Sequence, residues 1–91
     1  MGVNLTGALI CQSSDLETVL SALPDHIRLT RAERGCLSFE LTQSETNPCR
    51  FDVRERFVDR IAFDAHQHRT RASAWWHLTA HIPRQFQLRD T

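Results

Sequence analysis

Glu55 is the residue of this chain whose setting most asks for chemistry. It lies in Phe51-Asp52-Val53-Arg54-Glu55-Arg56-Phe57, an alternating run that puts Phe51, Val53, Glu55 and Phe57 on one face of a strand. Three of those side chains favour burial and the fourth is a carboxylate. A charge on an apolar face needs a partner or a shifted pKa, so Glu55 is either a satisfied structural contact or part of a site. Further on, Phe63-Asp64-Ala65-His66 reads as helix and can carry an imidazole over the same face. An imidazole titrates near neutral pH, which suits His66 as a base or proton relay. Glu55 could then orient the ring or receive its proton. The structural alternative is that Glu55 caps a helix or pairs with an arginine such as Arg69 or Arg31.

The elements that must hold these groups follow from periodicity. Residues 3–11 are apolar enough for a central strand. Ser14 and Glu17 have the spacing of a capping box, and Leu16, Val19, Leu20 and Leu23 follow at helical intervals. Pro24 is expected to break that helix, giving pieces at about 15–22 and 25–33, with Gly35 at a C-terminal cap. Cys36 to Gln43 alternates, with Leu37, Phe39 and Leu41 on one face, and Ser44 to Pro48 is a turn cluster. A strand over about 49–58 completes a hairpin. Asp59 and Ser73 are placed to cap two further helices, Pro83 ends the second, and Gln85 to Leu88 alternates as a last strand.

The order is βαββαβ with both helical regions broken. This is the α+β, ferredoxin-like arrangement, a four-stranded antiparallel sheet with helices on one face. One domain over residues 1–91 is expected. The open face of the sheet would carry Ser38, Glu40, Asp52, Arg54 and Arg56 with Ala8 and Ile10. A half-apolar, charge-matched face of that kind suits a homodimer.

Composition narrows the partners. Eleven basic and eleven acidic residues give a formal charge of zero, against a nucleic-acid partner, which needs a basic stripe. Every basic residue is arginine, which removes Schiff-base chemistry on lysine. Cys11, Cys36 and Cys49 have no CxxC spacing and read as free thiols of a reducing compartment. No signal-peptide pattern or membrane-length apolar run is evident, so a cytoplasmic protein with no membrane partner is expected.

Several segments together resemble the antibiotic biosynthesis monooxygenase (ABM) domain family. They are Glu33-x-Gly35-Cys36-Leu37-x-Phe39, then Phe51-x-Val53-x-Glu55-x-Phe57-x-Asp59-x-x-Ala62-Phe63-x-x-His66, then Ser73-x-Trp75. The likeness runs from the first strand to Phe86. It implies a small ferredoxin-like subunit that dimerises into an α/β-barrel, with a pocket between the helices and the concave side of the sheet. It also implies an oxidoreductase of the monooxygenase type that oxidises a small aromatic phenol or quinol with O2, without metal or flavin cofactor. Other members of the family act on quinols or degrade haem, and fold alone does not choose among them.

Under that reading the catalytic pair is His66 and Glu55. The substrate-binding set is Asn4, His26, Phe39, Phe63 and Trp76. Asn4 offers an amide to a substrate oxygen, or is a polar strand-edge residue. His26 stands near a position where the resemblance implies a histidine, at the lip of the pocket. Phe39, Phe57 and Phe63 are core that also forms the pocket floor. Trp75 and Trp76 point about 100° apart on a helix, so one packs on the sheet and the other lines the pocket or the dimer interface. His77 and His81 share a helical face, but no further ligands converge on them in sequence, and no metal site is expected. Haem is disfavoured because the family's haem-degrading branch implies a tryptophan near where this chain has His66. A non-catalytic dimeric ligand-binding module is the alternative from a different class.

Overall fold

Apolar alternation builds the sheet and helical stripes cover it. A computed structural model describes all residues from Met1 to Thr91. The elements are β1 (Val3–Ile10), a 3₁₀ turn (Ser13–Asp15), α1 (Leu16–Arg31), β2 (Cys36–Gln43), β3 (Arg50–Phe57), α2 (Arg60–Arg71), α3 (Ala74–Thr79) and β4 (Arg84–Asp90). The strands form one antiparallel sheet in the order β2-β3-β1-β4. This is the expected α+β ferredoxin-like fold.

Register fixes what shares the inner face. On β3, Phe51, Val53, Glu55 and Phe57 are all buried, and they stand opposite Leu9, Gly7, Leu5 and Val3 of β1. On β2, Phe39 is opposite Glu55 and Leu41 opposite Val53. Above them sit Val19, His26 and Thr30 of α1, Phe63, His66 and Thr70 of α2, and Trp75 and Thr79 of α3. Gly7 matters because a Cβ there would come within 2.0 Å of the Gln85 carbonyl oxygen, so only glycine lets β4 lie this close to β1.

The local caps that the sequence points to are present in the second helical region. The Asp59 carboxylate accepts from the Ala62 N–H at 2.8 Å, and the Ser73 hydroxyl accepts from the Trp76 N–H at 3.3 Å. The first helical region differs from expectation. It does not break at Pro24; α1 runs unbroken through it. An interior proline costs about 3 kcal/mol, and here a stripe of buried and half-buried residues from Leu16 to Thr30 packs on the core, so packing both halves outweighs that cost. The discontinuity lies earlier, at the 3₁₀ turn, where Asp15 accepts from the Gln12 N–H at 3.4 Å in place of the expected Ser14–Glu17 box.

A second difference is Leu37, expected inside and found 57 % exposed. Cys36 pairs with Phe57 but Ser38 pairs with Arg56, so a bulge between them inserts one residue and turns Leu37 outward.

Candidate active site

The site is assembled where the α1–β2 turn meets α2 above β3. Gly35 makes the turn possible: its φ is +87°, and a side chain there would meet the Ala62 methyl at 2.6 Å. With the turn closed against α2, Glu33 reaches His66. The His66 Nδ1 lies 2.9 Å from Glu33 Oε1 and 3.1 Å from Oε2. Arg69, one turn along α2 from His66, donates its Nε–H to Glu33 Oε2 and its Nη2–H to the Thr30 hydroxyl at 3.0 Å. A carboxylate only accepts, so Glu33 fixes the imidazole tautomer with the proton on Nδ1 and the lone pair on Nε2.

That lone pair points toward Glu55. His66 Nε2 is 3.6 Å from Glu55 Oε1 and 3.5 Å from the Thr70 hydroxyl. Glu55 Oε1 has no hydrogen-bond partner at all. Neither arginine proposed as its partner reaches it: Arg69 is spent on Glu33, and Arg31 donates to the Phe39 carbonyl at 3.0 Å. Burial, and then the negative charge of Glu33, push the Glu55 carboxyl up to about 8. Burial also holds the His66 imidazole below its ordinary range, against the opposing pull of its Glu33 hydrogen bond. Near neutral pH the array is therefore a carboxylate, a neutral imidazole and a protonated carboxylic acid in a row.

Aromatic rings wall this array. Phe57 lies 4.9 Å from the His66 ring and Phe39 6.0 Å from it, centroid to centroid. Phe63 stands edge-on to Phe57 at 5.7 Å. His26 is 6.4 Å from His66 and stacks on Trp75 at 4.6 Å with the planes 5° apart. Its Nδ1 is buried without a partner, and burial brings its pKa down to about 3. Beyond this stack a cleft of about 270 Å³ opens between α1 and α2–α3, lined by His26, Leu29, Arg69, Trp75 and Leu78 among others. That volume is just under the usual range of small-molecule pockets.

The structure thus brings His66, Glu55, His26, Phe39 and Phe63 into one cluster. Two expected residues lie elsewhere. Asn4 is on the opposite face of the sheet, between Arg56 and Arg89, in a depression of about 290 Å³ shared with Ser38, Glu40, Arg54 and Arg56. Trp76 packs under the Arg84 guanidinium, 5.0 Å from its ring centroid, and Arg84 in turn binds the Thr79 and Ile82 carbonyls. The tryptophan of the cluster is Trp75. Sequence reasoning also missed Glu33 as a functional group. A signal existed, because an acid just past a helix C-terminus opposes the helix dipole and must be held by cations.

The buried acid–imidazole–acid array lies in a domain of the small α+β, ferredoxin-like class. Within it, this chain belongs to the antibiotic biosynthesis monooxygenase family, whose model matches residues 11–77. Among solved structures it is similar to Rv0793 from Mycobacterium tuberculosis, with a TM-score of 0.78 and 23% identity, covering 100% of this chain and 95% of that one. It is similar to a crystal structure described as an antibiotic biosynthesis monooxygenase, with a TM-score of 0.79 and 23% identity over 98% of this chain and 97% of that one. It also resembles protein SO0527 from Shewanella oneidensis, at 25% identity and a TM-score of 0.69 over 98% and 93% of the two chains. No curated protein matches the sequence.

Proposed function

We propose that this protein is a monooxygenase-type oxidoreductase that oxidises a small aromatic phenol or quinol with O2 and carries the reaction on its own side chains. The observation that supports this most is the Glu33–His66–Glu55 array, in which a fixed lone pair on His66 faces a protonated acid inside aromatic walls. His66 Nε2 takes the phenolic proton, and Glu33 stabilises the resulting imidazolium through the Nδ1–H. The phenolate is electron-rich enough to reduce O2, and one oxygen atom bonds to the ring carbon. Loss of the ring hydrogen and of the second oxygen as water leaves a quinone, so one phenol and one O2 give one quinone and one water. Glu55, kept as an acid, is the proton source for the departing oxygen. The Phe39, Phe57, Phe63 and Trp75 rings keep bulk water from the reacting centre.

Access is through the 270 Å³ cleft, with the His26–Trp75 stack parting to admit the ring. The partner in solution is a second copy of the chain, joined through the outer face of the sheet. The test is oxygen consumption by metal-stripped protein against naphthols, anthrones and quinols, with His66→Ala as control and circular dichroism to verify its fold. The expected result is uptake above spontaneous autoxidation that falls by about 10²-fold or more in the variant. Unchanged uptake in a folded His66→Ala protein overturns the role of His66. The burial of His66 behind the His26–Trp75 stack favours one other reading, a ligand-binding module using the same cleft. Thermal stabilisation by a panel compound with no oxygen uptake would establish that reading instead.

A further inference from the structure

We propose that Cys11 and Cys49 are a redox-responsive pair, which a peroxide converts to an intrachain disulfide and a thiol reductant reopens. The two residues lie at the far end of the β1–β3 ladder. Ile10 is the β1 residue opposite Arg50, and Cys11 and Cys49 are the next pair in the same register. The Cys11 N–H donates to the Cys49 carbonyl at 2.9 Å, which holds the two backbones face to face. Opposed residues of this kind have Cα atoms about 5.5 Å apart, inside the span of about 4.4–6.8 Å that a disulfide bridges. The return hydrogen bond is absent, because the Cys49 N–H donates instead to the Asn47 side chain at 3.0 Å. Cys49 is thus tethered by a turn and not locked into the ladder on both sides.

The two thiols are differently placed for the two steps. Cys11 is 6 % exposed, whereas Cys49 is half-buried and meets solvent. Burial first, and then the neighbouring Cys49 sulfur, push the Cys11 thiol up, so Cys11 is the poorer initial nucleophile. Cys49 therefore attacks the peroxide: an S–O bond forms, the O–O bond breaks, and hydroxide leaves to become water. The Cys11 sulfur then displaces the hydroxyl from the Cys49 sulfenic acid, forming the S–S bond and releasing a second water. Two thiols lose two electrons and the peroxide gains them. Cys36 cannot substitute for either, since it pairs with Phe57 at the opposite end of β3, a strand length of about 20 Å or more away.

The bond would close a loop containing α1 and β2 and fasten the exit of β1 to the β2–β3 turn. Glu55 is six residues beyond Cys49 in the chain, so the pair stands whether or not the proposed oxygenation does.

The test treats the reduced full-length protein with a few equivalents of hydrogen peroxide, then counts thiols in denaturant and maps peptides by mass spectrometry. The expected result is a fall from three titratable thiols to one, a Cys11–Cys49 cross-linked peptide, and recovery of all three with dithiothreitol. Cys36→Ser should still form the bond, and Cys11→Ser and Cys49→Ser should not. The oxidised protein should melt about 5–10 °C higher than the reduced one. Retention of all three thiols, oxidation of Cys49 to sulfinic acid without a cross-link, or a bond involving Cys36 would each overturn the proposal.

Discussion

The two faces of β3 carry the same kind of side chain to opposite ends. On the outer face Asp52 pairs with Arg50 at 2.9 Å, and both side chains are close to half exposed. On the inner face, three residues on, Glu55 is 6 % exposed, has an unpartnered oxygen and is pushed up to about 8. Water screens the first carboxylate, and nothing replaces water for the second. Side-chain type is therefore a poor guide to chemistry in this sheet, and the parity of a residue along the strand is a good one. A neighbour with a partner sharpens the contrast further. Glu33 approaches the same imidazole as Glu55, but it is met by Arg69, and its charge adds to the burial that keeps Glu55 protonated.

The largest expected effect comes from removing that charge. Glu33→Gln replaces a carboxylate that can only accept with an amide that can also donate, so the His66 tautomer is no longer fixed and the Arg69 guanidinium loses its carboxylate. Turnover of an accepted phenol should fall by about 10²-fold. Stability should fall by about 2 kcal/mol, a figure discounted for the partial exposure of Arg69, and urea denaturation reads it. The same substitution removes the repulsion that raises Glu55, so the pH at which Glu55 ionises should drop. A variant that kept full turnover would show that Glu33 and Arg69 only join the α1–β2 turn to α2.

Glu55→Gln should act in the opposite direction on stability. The folded protein holds the Glu55 proton up to about pH 8, whereas the unfolded chain releases it near the ordinary value of 4.5. Between those limits unfolding releases a proton, so stability falls as pH rises, by about 3 kcal/mol at pH 7. Glutamine cannot ionise, so the variant should be more stable than the parent at pH 7 and nearly equal to it at pH 4.5. His26 and His66 slope the other way. Their folded pKa values are lowered, His26 to about 3, so their contribution is complete above the ordinary value of 6.5 and is lost as pH falls. Chemical denaturation across pH 4–8 should therefore show a parent maximum near pH 6. The variant should lack the alkaline decline. Equal destabilisation by Glu55→Gln at both pH values would mean that Glu55 is ionised and paired in solution.

Much of this contrast is legible in the sequence, because alternation is a local property. Phe51, Val53 and Phe57 define the inner face without help from the rest of the chain, and Glu55 falls among them. Asp59 and Ser73 are equally local, each capping a backbone N–H three residues away. What could not be read depends on distant residues. The contact that makes His66 a relay joins it to Glu33, 33 positions earlier, through a glycine turn whose fit against Ala62 is a tertiary fact. Whether Trp75 or Trp76 faces His26 depends on the rotation of a six-residue helix, which two adjacent indoles cannot reveal. Pro24 misled because its cost is local while the stripe that overrides it is formed only with the sheet. Leu37 misled because a one-residue bulge reverses the alternation on which the whole reading of a strand rests.

The smallest expected effect is on the outer face. In the isolated subunit Asp52→Asn breaks a half-exposed pair with Arg50 and exposes no buried charge, so at protein concentrations below dimerisation stability should change by about 0.5 kcal/mol or less. The comparison holds only while water has access to this face. If two copies meet through it, Asp52 loses its solvent and begins to resemble Glu55. Denaturation of Asp52→Asn at low and high protein concentration separates the cases. A small, concentration-independent change means the outer face stays wet. A shift above about 1 kcal/mol that appears only at concentrations where sedimentation shows a dimer means that the face is covered by a second copy. The difference between the two carboxylates would then lie in which partner removes the water, the helices in one case and another sheet in the other.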